Sequence, residues 1–184
     1  MPRRSAARHA AAVLLILLGG CAPRHAEPAS PASSAPATAP ERIAIDHDDY
    51  HARYVGHRAD GSQFFLTEPF DPGTYGGDDA RLFVALYLFD ADGSFRSADI
   101  AQVGEGDHPD PAVRQAAIAT HLRRLGRVSY DRIEVEPFSV RRYGLTFGLV
   151  VSEPDDGDDT WWVTVEPGDY MAFSPPWDGG GYDT

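Results

Sequence analysis

The sequence contains no lysine, no asparagine and a single cysteine. One cysteine excludes an intramolecular disulfide, and with it a small fold held together by crosslinks. Lysine and asparagine codons are both A-rich, so a GC-rich coding sequence accounts for the two absences together. Arginine supplies all 16 basic residues against 28 acids, for a formal net charge of −12. Proteins that hold nucleic acid do so with clustered cations that release counterions. The deficit of cations here argues against nucleic acid as a partner and fits a soluble surface or a basic partner. Long apolar runs are also missing. The longest, Ala10 to Leu18, is about half of the ~20 residues that a spanning helix needs.

The chemistry-bearing motifs are absent as well. There is no G-x-S-x-G elbow, no P-loop and no strand-linked G-x-G-x-x-G. No cofactor is expected. No spacing singles out two carboxylates for acid–base work, and sites assembled from distant residues leave no such mark.

What is present begins at the sole cysteine. Arg3, Arg4 and Arg8 precede the short apolar run, and Leu18-Gly19-Gly20-Cys21 follows it. This is the three-part layout of a secretory signal, and its end resembles the bacterial lipobox. The resemblance implies cleavage before Cys21, a diacylglyceryl group on its thiol and an acylated amino terminus. Two or three acyl chains anchor a protein stably, whereas one is marginal. Ala22 stands where an aspartate would retain a lipoprotein at the inner membrane. By the same resemblance, the chain is expected in the cell envelope, at the outer membrane facing the periplasm.

Residues 1–20 therefore read as a signal peptide and 21–40 as a tether. The stretch APRHAEPASPASSAPATAP has almost no large apolar side chain to bury. At about 3.1 Å per residue it would reach several tens of Å when extended. Residues 41–184 read as one domain. Strands are expected over 53–58, 62–70, 81–90, 94–103, 130–140, 144–153 and 160–168, with hairpin turns at Asp60-Gly61 and Asp92-Gly93. A helix is expected over 112–126, capped by Asp110, opened by Pro111 and ended by Gly126. Val113, Ala117, Ile118, Leu122 and Leu125 are expected on its buried face. Strands, one helix, then strands give an α+β fold: a mainly antiparallel sheet of about six to seven strands with one helix on a face.

Three stretches are candidate sites. Asp155, Asp156, Asp158 and Asp159 could offer carboxylates to calcium, but they lack the loop spacing with a distal Glu. Asp and Gly also suit a plain turn. His47, His51 and His57 lie among acids and could ligate zinc. Only a helix would align His47 with His51, and no Glu follows His47 as a metalloprotease helix requires. The tail PPWDGGGYDT holds Trp177, Asp178, Tyr182 and Asp183. These are either a partner-contact surface or a plug that folds back on the core.

The segments YHARYVGHRADGSQFF, VALYLFDADG, PFSVRRYGLTFGLV and PPWDGGGYDT occur in this order. Together they resemble a family of short bacterial proteins that end in W-D-G-x-Y-D-T, often labelled formate hydrogenlyase regulatory protein. The likeness spans nearly all of residues 47–184, and three glycines separate Asp178 from Tyr182, one residue more than in that motif. A cytoplasmic regulator is incompatible with a lipobox, so the label is not carried over. The resemblance implies a self-contained module usable in more than one compartment. The expected function is a lipid-anchored, non-catalytic module that binds a basic envelope or toxin protein, as immunity or inhibitor lipoproteins do. The alternative is an envelope metal-dependent hydrolase built on His47, His51 and His57.

Overall fold

A computed structural model describes residues 38–74, 79–106, 110–154 and 159–184, which belong to one compact unit, Ser33–Thr184. Along them run β1 (Ile43–Ile45), β2 (Tyr54–Arg58), β3 (Gln63–Thr67), β4 (Phe70–Asp71), β5 (Arg81–Phe89), β6 (Phe95–Glu105), α1 (Pro111–Leu125), β7 (Val128–Tyr130), β8 (Ile133–Val135), β9 (Phe138–Arg142), β10 (Leu145–Ser152), β11 (Trp162–Glu166) and β12 (Ala172–Phe173). Every described ladder is antiparallel. The fold is α+β, mainly sheet, as the strand–helix–strand order predicts.

The strands number more than expected because they sort into three sheets. In the largest, β6 pairs along one edge of β5, β3 and the short β4 share the other, and β2 and β7 lie beyond β3. The second has the order β12-β11-β10-β9, and the third consists of β1 and β8. The segment 130–140, expected as one strand, is where they join. Asp131-Arg132 and Glu136-Pro137 interrupt it, and Pro137 has no N–H to give to a ladder. As a result β7 enters the first sheet, β8 the third and β9 the second.

Side-chain alternation creates two cores. On β5, Phe83, Ala85, Tyr87 and Phe89 enter one, and Val84 and Leu86 enter the other; all are buried. Phe65 on β3 follows the first set, and Phe64 and Leu66 follow the second. The first core is closed by Phe147, Leu149, Val163 and Val165 of the second sheet and by Ile43, Ile45, Ile133 and Val135 of the third. The second core is closed by Ile118 and Leu125 of the helix. A strand covered on both faces reads as an unbroken apolar run, and β5 does. Each fully buried aromatic or branched side chain contributes roughly 1.5–3 kcal/mol.

The hairpin between β5 and β6 turns at Gly93, which has φ +88°. A Cβ there would lie 2.2 Å from the carbonyl oxygen of Glu134. The glycine lets the turn sit against β8, where its own carbonyl accepts from Glu136 N at 2.9 Å.

The helix starts as expected: Asp110 Oδ1 accepts from Ala112 N at 2.8 Å, and Pro111 fills the first helical position. Gly126, at φ 77°, ends it. Its face needs one correction. Val113 is 48% exposed, while Arg114, Ile118, His121 and Leu125 follow the i, i+4, i+7, i+11 spacing of the sheet-facing stripe. Val113 sits about a third of a turn off that stripe at ~100° per residue.

His121 is buried and its Nδ1 has no hydrogen bond among the described residues. Asp99 Oδ2 lies 3.7 Å away, but Arg124 already holds that oxygen at 2.6 Å. Burial lowers the His121 pKa; Asp99 opposes this and Arg124 adds to it. The folded state thus keeps a neutral ring where the unfolded state takes a proton. Stability is full above the ordinary histidine value of 6.5 and falls as pH drops below it. Denaturant unfolding at about pH 7.5 and about pH 5.5 is expected to show this loss, and His121→Leu is expected to reduce it. An equal loss in the variant would clear His121 of the role.

Candidate functional site

The tail is held to the domain by its backbone. Ala44 N donates to Trp177 O at 2.8 Å and Asp46 N to Gly180 O at 2.9 Å, along the edge of β1 that β8 leaves open. Asp183 exchanges two backbone bonds with Ala172, at 2.9 and 2.8 Å. Trp177 and Tyr182 pack against the first core, whereas Asp178 and Asp183 are exposed. Gly180 has φ +80°, and a Cβ on it would fall 2.4 Å from the Asp46 carboxylate. The Tyr182 hydroxyl donates to Asp48 and accepts from His51 N at 3.2 Å. Asp48 Oδ1 also accepts from Tyr50 N at 2.8 Å and Ala52 N at 3.0 Å. Burial first, and then Asp48, push the phenol up to about 12.

The three histidines have different neighbours. His57 Nδ1 lies 2.7 Å from Asp131 Oδ1, and the His47 ring stands 5.7 Å from that of Tyr130. The hydrogen bond from His57 is the main reason the Asp131 carboxyl is held below its usual range; the charge of His47 adds a smaller part. His51 is instead set among tyrosines: Tyr50 at 3.9 Å, Tyr170 edge-on at 5.1 Å and Tyr182 at 6.3 Å between ring centres. Among the described residues, no three His, Cys, Asp or Glu side chains are grouped to hold a metal. Asp155, Asp156 and Asp158 lie outside the described residues, as does Cys21. Asp159 is described, and it belongs to no such group among the described residues.

His51 lines a small cavity of about 170 Å³, between the turn that Tyr182 pins, the end of β3 and the start of α1. Leu66 and Ile118, both buried, close it from the core side. Glu68 and Arg114 face each other across it, with Arg114 Nη1 3.2 Å from Glu68 Oε2. That oxygen is buried, and the pair is an ion pair without hydrogen-bond alignment. Behind His51, the Tyr170 and Thr67 hydroxyls meet at 2.7 Å. Burial raises the Tyr170 pKa well above the usual phenol range; the bond from Thr67 opposes the rise, and Tyr87, Glu68 and Glu166 add to it.

A second concavity, about 440 Å³, lies on the outer face of the second sheet. On β11, Val163 and Val165 point into the core, so Trp162 and Thr164 face outward. Ser152 and Ala172, their ladder partners, share that face. Asp169 and Asp183 complete the groove. A neighbouring hollow of about 390 Å³ is lined by Pro175, Pro176, Tyr182 and again Asp183.

Glu68, Arg53, Arg114, Trp162 and Asp169 had no sequence signal that set them apart; only the packing of strands, helix and turns brings them to these hollows. Of the tail residues, Asp183 and Tyr182 line hollows, and Trp177 serves the core. No helix among the described residues is long and apolar enough to cross a membrane. Comparison of the chain with known protein families, with curated proteins and with solved structures gave no match.

Tyr182→Phe removes the donor to a carboxylate and the acceptor for His51 N. It is expected to lower unfolding stability by about 1.5–3 kcal/mol. Asp178→Ala, at an exposed position, is expected to stay within about 0.5 kcal/mol. Equal effects of the two in denaturant titrations would contradict the pinning role of Tyr182.

Proposed function

We propose that the chain is a bacterial lipoprotein, acylated at Cys21 and held at the outer membrane facing the periplasm, whose folded domain is a non-catalytic module that binds a basic envelope or toxin protein. The observation that carries this reading is the groove that gathers Trp162, Asp169 and Asp183 on one sheet face. An indole attracts a guanidinium or ammonium through its ring, by about 0.5–2 kcal/mol depending on solvation. Two carboxylates beside it add charge complementarity, which sets specificity and association rate more than raw affinity. The net charge of −12 acts in the same direction at longer range. A Pro/Ala/Ser tether suits a module that must reach its partner from a lipid surface.

Kinship with the proteins ending in W-D-G-x-Y-D-T is part of the same proposal. It is supported by the structural use of that stretch: Gly180 and Tyr182 are needed where they stand. The hydrolase alternative has no comparable support, since no contact among the described residues brings His47, His51 and His57 to one ligand position.

Anchoring is tested by Cys21→Ser. The chain is expected to move from the membrane pellet to the soluble envelope fraction and to lose incorporation of labelled palmitate. An unchanged distribution would overturn lipidation. Binding is tested by capture from detergent-solubilised envelope on the full tagged chain, over a salt series. The expected result is a basic protein that is released at high salt and is not retained by the double variant Asp169→Asn/Asp183→Asn. Capture that survives both salt and the double variant, or no capture at low salt, would overturn the reading.

A further inference from the structure

We propose that the cavity beside His51 is a binding site for a free α-amino acid, held as its zwitterion. The inference stands apart from the protein-partner reading, since it rests on a different hollow and different residues.

Size is the first argument. At about 170 Å³ the cavity is well below the roughly 300–1,000 Å³ of sites for drug-sized ligands. It suits a molecule of amino-acid dimensions.

The second argument is the set of unmet charges. Glu68 Oε2 is a buried acceptor with no hydrogen bond among the described residues. Arg114 neutralises part of its charge at 3.2 Å without aligning a donor on it. An unsatisfied buried acceptor is costly, and an ammonium from a ligand would supply the donor. Asp49, also in the lining, makes no ion pair among the described residues and adds a second carboxylate toward the same charge. Arg53 is the complementary case. Its guanidinium lies over the Tyr54 ring, 5.6 Å from the centroid, and has no carboxylate partner among the described residues. It is free to take a ligand carboxylate through paired N–H donors.

The third argument is that the walls divide by polarity. Leu66 and Ile118 offer an apolar surface to a side chain, while the charged groups come from β3, α1 and the pinned turn. A simple cation would leave Arg53 unpaired, and a simple anion would leave Glu68 Oε2 without a hydrogen-bond donor. A zwitterion with a short carbon body meets both.

The test is isothermal titration of the purified full chain with L-alanine, L-leucine and L-phenylalanine, each also as its N-acetyl derivative and its amide. At least one free amino acid is expected to saturate a single site. Acetylation, which removes the ammonium, and amidation, which removes the carboxylate, are each expected to weaken binding about tenfold or more. Glu68→Gln and Arg53→Gln are each expected to weaken the parent ligand about tenfold with the circular-dichroism melt unchanged. Arg53 makes no ion pair among the described residues, so its variant keeps the test decisive if Glu68→Gln unfolds. The proposal is overturned if no amino acid saturates by about 10 mM, if the blocked derivatives bind as well as the free acid, or if Arg53→Gln binds like the parent chain.

Discussion

Strand β5 is buried on both faces, and the rest of the domain is arranged around that constraint. From Phe83 to Tyr87 every residue is buried, with alternate side chains entering opposite cores. A single helix can cover one of these faces; the other needs a sheet. The chain supplies it only after the helix, through the passage from β7 to β9. Tyr87 shows how strongly apolar packing dominates here. Its hydroxyl is buried without a partner among the described residues, and burial drives its pKa far above the ordinary phenol value. The loss of order 1–3 kcal/mol for such a group is offset by a ring packed edge-on against Phe138 at 4.9 Å and tilted against Phe65 at 6.2 Å.

Much of this was legible because period-2 alternation and turn chemistry are local. The Asp60-Gly61 and Asp92-Gly93 turns, the unbroken β5 run and the Asp110-Pro111 helix start are each written within a few residues. What was not legible depends on distant partners. Ile43–Ile45 is too short to show a period, and only its pairing with Ile133–Val135 makes it a strand. The segment 130–140 alternates plausibly from end to end, so nothing local tells which sheet each part will join. His121 sat on the right helical stripe, but a polar residue type hid its burial. The hollows were least legible of all, because Arg53, Glu68 and Arg114 come from three separate elements and share no spacing rule.

The tail illustrates how an odd composition can serve the fold before it serves contact. Carbonyls of Trp177 and Gly180 satisfy the open edge of β1, an edge that would otherwise offer unpaired N–H groups to other chains. Gly180 is required by the approach to Asp46, and Tyr182 by the bonds to Asp48 and His51 N. The Trp177 indole N–H is buried without an acceptor among the described residues, so its ring is retained by packing alone. An aromatic-acidic terminus therefore divides its labour: the aromatic members face the core, and the acidic ones remain outside.

That division has a geometric form. In both Asp169-Tyr170 and Tyr182-Asp183, the acid lines the sheet-face groove and the tyrosine contacts His51. Asp169 stands in a turn with φ +48°, and the Ala172–Asp183 bridge joins the second pair to the strand that follows the first. The two segments thus give acids to the groove and set tyrosine rings against His51. Asp169 and Asp183 line the groove and not the cavity, while Glu68 and Arg53 line the cavity and not the groove. Substitutions at those four positions separate the two sites, because each removes a charge from one hollow and leaves the lining of the other unchanged.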